Sequence, residues 1–189
     1  MRNIYENSPI ERERQLAKKL IDNYGDYDTP YFEASRYEIA PKGPRGAYFS
    51  DSGIVVASES SLERARSTTL HEAAHSTTYD FLERNTIRKQ VGESVYDYER
   101  IPDKSTKEGK LIDALNSYYK RYVNYTTNTP EGRSKYYGAK NLDEFIATIY
   151  DEKRSTHKWL KKKGYLEDVE KIIDEIQKLS LSEGHNRDI

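Results

Sequence analysis

Cysteine is absent from the 189 residues. Disulfides, thiolate metal sites and a cysteine nucleophile are thereby excluded. Any zinc site must be built from His, Asp, Glu and water. Long apolar runs are absent too, and none approaches the roughly 20 residues of a membrane span. The opening MRNIYENSPIERERQ has no apolar segment of the kind that directs secretion. The expectation is a cytoplasmic protein with no membrane partner. Charge of one sign is also missing: Lys plus Arg number 31 and Asp plus Glu 32, for a net charge of -1. Such a chain has no overall bias toward nucleic acid, and no nucleic-acid partner is expected.

Tyrosine, by contrast, is plentiful, with 17 residues in a chain that is 35% hydrophobic. That is too aromatic for a disordered chain, and the length suffices for one domain spanning 1–189. Ser8 and Pro9 begin a helix to about residue 24. Glycines and prolines then break the chain to residue 46, with a short strand at Tyr37-Glu38-Ile39. In GAYFSDSGIVVAS, Tyr48-Phe49 and Ile54-Val55-Val56 flank an Asp51-Ser52-Gly53 turn, the pattern of a β-hairpin. Ser60 with Glu63 forms a capping box. The helix it starts runs to about Arg84 with Leu62, Leu70, Ala73, Ala74, Thr77, Phe81 and Leu82 inward. Residues 85 to 106 are polar and ambiguous. Further helices span about 107–123, from Asn141 with a restart at Ser155 to Gly164, and about 165–180. The tail 182–189 reads as frayed. The fold class expected is α+β, mostly helical, with a small sheet or hairpin beside the helix that follows it.

That helix carries His71-Glu72-Ala73-Ala74-His75. Residues i and i+4 lie one above the other on a helix, so both imidazoles reach one ion. Glu72 stands beside them, where it can take a proton from a water whose pKa zinc lowers to about 7. The bland alternative is two helical histidines with no metal; an HExxH rarely arises by chance in a chain with four histidines. Zinc needs a third protein ligand. Phe81 and Thr78 exclude the elongated metzincin pattern, so the ligand comes from a later helix. Glu144 leads, although Asn141 with Glu144 is itself a capping-box pattern. Asp143, Asp151 and Glu152 are weaker candidates, and His157 and His185 are more readily surface residues.

GAYFSDSGIVVAS, ESSLERARSTTLHEAAHST and KNLDEFIATI together resemble zincin-like metallopeptidase domains. They are most similar to the metallopeptidase half of ArdC-type antirestriction proteins and to phage and mobile-element zincins. A second resemblance is to anthrax lethal factor and the Pro-Pro endopeptidases. There the glutamate ligand lies in a Glu-Phe-Phe-Ala-like stretch, seven residues after a catalytic tyrosine. Here Tyr137 precedes Glu144 by seven, and Phe145-Ile146-Ala147 follow. The resemblance covers about residues 45–83 and 136–150. It implies one Zn2+ per chain held by His71, His75 and Glu144, with Glu72 as general base. Tyr137 would stabilise the oxyanion, with Tyr136 its rival. The implied reaction is hydrolysis of a peptide bond in a protein or peptide substrate. Strand Ile54 to Ala57 would run beside the helix and pair with an extended peptide.

Two departures stand out. The 69 residues from His75 to Glu144 imply an insertion of about 84–125. Nothing resembles the DNA-binding half of ArdC-type proteins. Two other classes compete: a non-catalytic zincin-scaffold binding or inhibitory protein of phage or mobile-element origin, and a metal-free helical interaction protein using the C-terminal Ile/Val stripe and Lys161-Lys162-Lys163. That stripe is more simply core packing. The sequence does not give substrate specificity or oligomeric state.

Overall fold

The computed structural model describes residues 1–24, 31–34, 46–49, 53–57 and 61–185. The fold is a mostly helical α+β arrangement. It groups into two compact units, 1–76 and 77–189, and the division falls inside one continuous helix. Among the described residues no helix is long and apolar enough to cross a membrane.

In the first unit, α2 (Glu11–Tyr24) is the helix expected from residue 8, starting three residues later, and a short α1 (Arg2–Asn7) that was not expected precedes it. Ser8 separates them because Pro9 disfavours helical backbone in the residue before it; Ser8 is extended, at φ -67 and ψ 133. Its hydroxyl accepts from the Ile10 N–H at 3.1 Å and donates to Glu13 at 2.5 Å. Three strands follow, β1 (Tyr31–Ala34), β2 (Gly46–Phe49) and β3 (Gly53–Ala57). The expected hairpin is the β2–β3 pair, running from Gly46↔Val56 to Phe49↔Gly53. Gly53 has φ +103, a conformation that glycine adopts without strain. Asp51 and Ser52 of the turn, and the strand expected at Tyr37-Glu38-Ile39, lie outside the described residues.

β1 was not expected, because the prolines and glycines around it read as loop. It pairs in parallel with β3, so the sheet order is β1-β3-β2. This corrects the expected role of β3. A central strand has both edges bonded and cannot also accept an extended peptide. Helix α3 (Leu62–Asn85) comes next. Ser60 lies outside the described residues; Ser61 supplies a cap, its Oγ accepting from the Arg64 N–H at 3.4 Å. Leu62, expected inward, is exposed, while Leu70, Ala73 and Ala74 are fully buried. Arg66 Nε on α3 meets Glu13 on α2 at 2.7 Å.

In the second unit, α3 runs directly into a hairpin, β4 (Thr86–Gln90) and β5 (Tyr98–Pro102), in the segment that had read as ambiguous. Helix α4 (Lys107–Thr127) is capped by Thr106, whose hydroxyl accepts from Gly109. It runs one turn past its expected end. Two short 3-10 turns, Arg133–Lys135 and Tyr137–Ala139, occupy the expected loop. Helix α5 (Leu142–Thr148) stops short of α6 (Ser155–Lys163), which restarts at Ser155 and ends at Gly164, φ +73. The last helix, α7 (Leu166–His185), continues past residue 180, so 182–185 are helical, not frayed.

Helix α4 packs against α5 and α7, and α6 packs against both of those. Ile112, Leu115, Leu142, Phe145, Ile146, Leu160, Val169 and Ile176 are fully buried there. Tyr122 lies beneath a group of rings, 5.8 Å from Phe145 and 5.2 Å from Trp159 between centroids. Val169, Ile173 and Ile176 of the C-terminal stripe are core, while Lys161, Lys162 and Lys163 are exposed.

Candidate metal centre

Helix pitch alone brings the two histidines together. His71 Nε2 and His75 Nε2 stand 3.2 Å apart, with the rings edge-to-face at 76°. A tetrahedral ion held at about 2.05 Å from each nitrogen requires a separation of about 3.3 Å. The spacing therefore suits a shared ion as well as a hydrogen bond between the rings. A carboxylate oxygen of Glu144 joins them: the three ligand atoms lie within 4.8 Å of one another, each residue half-buried. Two nitrogens and one oxygen are the donors of a His2Glu set, on which a tetrahedral ion would keep one position for water or substrate. Among the described residues it is the one trio of His, Asp and Glu so placed.

Glu144 had two competing readings, ligand and cap partner, and its backbone serves the cap while its carboxylate lies by the histidines. Asn141 Oδ1 accepts the Glu144 N–H at 2.8 Å, so the asparagine caps α5 through the backbone. The Glu144 side chain reaches the histidines. Glu72, one residue beyond His71, is buried at 7% exposure.

Tyr137 opens the second 3-10 turn and is 40% exposed. Its ring is flanked by Lys140 Nζ at 4.4 Å and the Arg154 guanidinium at 5.9 Å, cations that would stabilise negative charge nearby. Gly138 holds this turn close against its neighbours, since a Cβ there would strike the Thr148 and Thr156 hydroxyls. Arg133 Nε and Tyr119 Oη both donate to the Ala139 carbonyl, at 2.9 and 3.1 Å. Tyr136 is differently placed. Its ring meets Tyr122 and Tyr125 edge-on and its hydroxyl reaches Glu131 at 3.4 Å.

The weaker ligand candidates have other tasks. His157 is buried, with Nδ1 3.1 Å from the Ile149 carbonyl. Asp151 caps the following turn through Lys153 N, and Glu152 is exposed. The side chain of His185 is outside the described residues. Asp143 receives Arg100 in two parallel hydrogen bonds, Nε to Oδ2 at 2.7 Å and Nη2 to Oδ1 at 2.8 Å. Tyr98 Oη adds a third at 3.0 Å.

Burial works against the Arg100 charge. The hydrogen bonds and charge of Asp143, with Tyr98 and Glu83, outweigh it and hold the pKa above the usual arginine value. Burial, reinforced by Asp143 and opposed by Arg100, raises the Tyr98 phenol. Arg100 is the residue that sequence reasoning missed. A single arginine in a polar stretch carries no signal of its burial.

Comparisons with family models, with curated proteins and with solved structures found no match.

Proposed function

We propose that this chain is a zinc-dependent metallopeptidase that hydrolyses peptide bonds. The observation that carries the reading is the convergence of His71, His75 and Glu144, with Glu72 placed between the two histidines in sequence and buried. A bound zinc would supply Lewis acidity, polarising a carbonyl and making water a better nucleophile. Glu72 takes the proton from the attacking water and hands it to the leaving nitrogen. Tyr137 donates a hydrogen bond to the oxygen on which negative charge develops. The ligands come from two helices, so the centre depends on tertiary packing as well as on the motif.

The cleavage reading is tested on an unbiased peptide library, with zinc-loaded and chelator-stripped protein and with Glu72→Gln. The expected result is cleavage by the loaded wild type, none after chelation, and a loss of about 10²–10⁴-fold in Glu72→Gln with zinc retained. Equal cleavage by wild type and Glu72→Gln would remove the mechanism. Zinc binding without cleavage of any peptide would favour the non-catalytic binding protein.

A further inference from the structure

We infer that Arg100 is a positioning residue for the metal centre, acting through Asp143 on Glu144; this rests on the reading of Glu144 as a ligand. The guanidinium has no solvent exposure. Four of its five N–H groups are accounted for by Nε and Nη2 on Asp143, and by Nη1 on Thr86 Oγ1 at 3.0 Å and Glu83 Oε1 at 3.3 Å. The rings of Tyr98 and Tyr79 lie 5.5 and 5.9 Å away. The Arg100 carbonyl accepts from Asn116 Nδ2 at 2.8 Å, which anchors β5 on α4.

The two carboxylates that Arg100 holds belong to the two helices that carry the ligands. Glu83 is on α3, the helix of His71 and His75; Asp143 is on α5, immediately before Glu144. A buried guanidinium is costly unless its geometry is well satisfied, and this one is satisfied by those helices. Helix α5 has only seven residues, too few to hold its own orientation. Successive side chains on a helix point about 100° apart. Clamping Asp143 toward the hairpin therefore fixes the direction in which Glu144 leaves the axis. Asn141 adds a second tie, its Nδ2 donating to the Tyr96 carbonyl at 2.9 Å while its Oδ1 holds the Glu144 N–H. The β4–β5 hairpin is in this way a brace for the third ligand.

Coupling between sites is reciprocal. If Arg100 steadies Glu144 for the metal, zinc must steady the hairpin. Hydrogen exchange of the backbone amides in 86–90 and 98–102 is measured with and without zinc. The expected result is several-fold slower exchange with zinc. Unchanged hairpin exchange with zinc bound overturns the inference. Wild type that binds no zinc overturns the inference and the ligand reading together, and is told apart by that.

A chelator-competition titration then compares Arg100→Lys, which keeps the charge and loses the fork, with the paired apolar replacement Arg100→Met/Asp143→Leu, which leaves no buried charge unpaired. Each should bind zinc about 10–100-fold more weakly than wild type, with helical circular dichroism retained. Wild-type zinc affinity in a folded paired variant would make the clamp purely structural and overturn the inference.

Discussion

His71 and His75 need only the pitch of α3 to stand together, whereas Glu144 arrives 69 residues later on a two-turn helix that cannot orient itself. The first half of the centre is local. Its geometry survives as long as the helix does, and substitutions there change chemistry more than folding. The second half is tertiary. It rests on the Asn141 cap, the buried Arg100–Asp143 pair and the packing of Leu142, Phe145 and Ile146, all fully or nearly fully buried. Substitutions there change folding and the site together. The proposed two-helix metal centre therefore has one half that a motif specifies and another that only the assembled core specifies.

The largest effect expected from the second half concerns the reaction itself. Tyr137→Phe should lower turnover by about 10²–10³-fold, as loss of one oxyanion donor does, without loss of zinc or of thermal stability. Tyr136→Phe should leave turnover, zinc content and thermal stability close to wild type, since it keeps the ring that packs on Tyr122 and Tyr125 and loses only an exposed hydroxyl contact to Glu131. A turnover loss confined to Tyr136→Phe would show that the other ring does the chemistry.

Next in size is the cap. Asn141→Ala removes the acceptor for the Glu144 N–H and the donor to Tyr96, and should cost about 1 kcal/mol of stability. His71→Ala should leave the metal-free stability within about 0.5 kcal/mol of wild type. Denaturant unfolding of both variants checks the contrast. Equal losses would erase the distinction between the two halves.

The smallest effect is one of pH. Burial raises the phenols of Tyr98, Tyr119 and Tyr122 above the ordinary value of 10.0. The unfolded chain then loses these protons first. Stability is fully present below about pH 10 and falls as pH rises through the folded values. Tyr98→Phe should flatten that fall, and an unfolding midpoint that holds steady from pH 9 to 11 would contradict it.

The same contrast explains what the sequence disclosed. HEAAH, the hairpin before it and the restart at Ser155 are local patterns, and the structure contains each of them. Glu144 could be named as a ligand candidate but not separated from a cap residue, because its direction is set by Arg100, 44 positions earlier. The β4–β5 hairpin escaped notice because its outer face carries Ile87 and Ile101 exposed while its inner face buries Arg100, the inverse of the usual alternation. Strand β1 was hidden by flanking breakers, and with it the fact that β3 has no open edge. The short α1 lies ahead of the expected first helix, and Ser8 ends it through the backbone preference that Pro9 imposes.

The most direct test of the central claim is zinc content per chain, by plasma mass spectrometry, of wild type, His71→Ala and Glu144→Ala purified without chelator or His tag. The account predicts about one zinc per wild-type chain and little in either variant. Full zinc in Glu144→Ala would contradict the two-helix centre and require another third ligand. A wild type that remains metal-free in the presence of zinc would reduce the 3.2 Å histidine contact to a hydrogen bond between two rings on one helix.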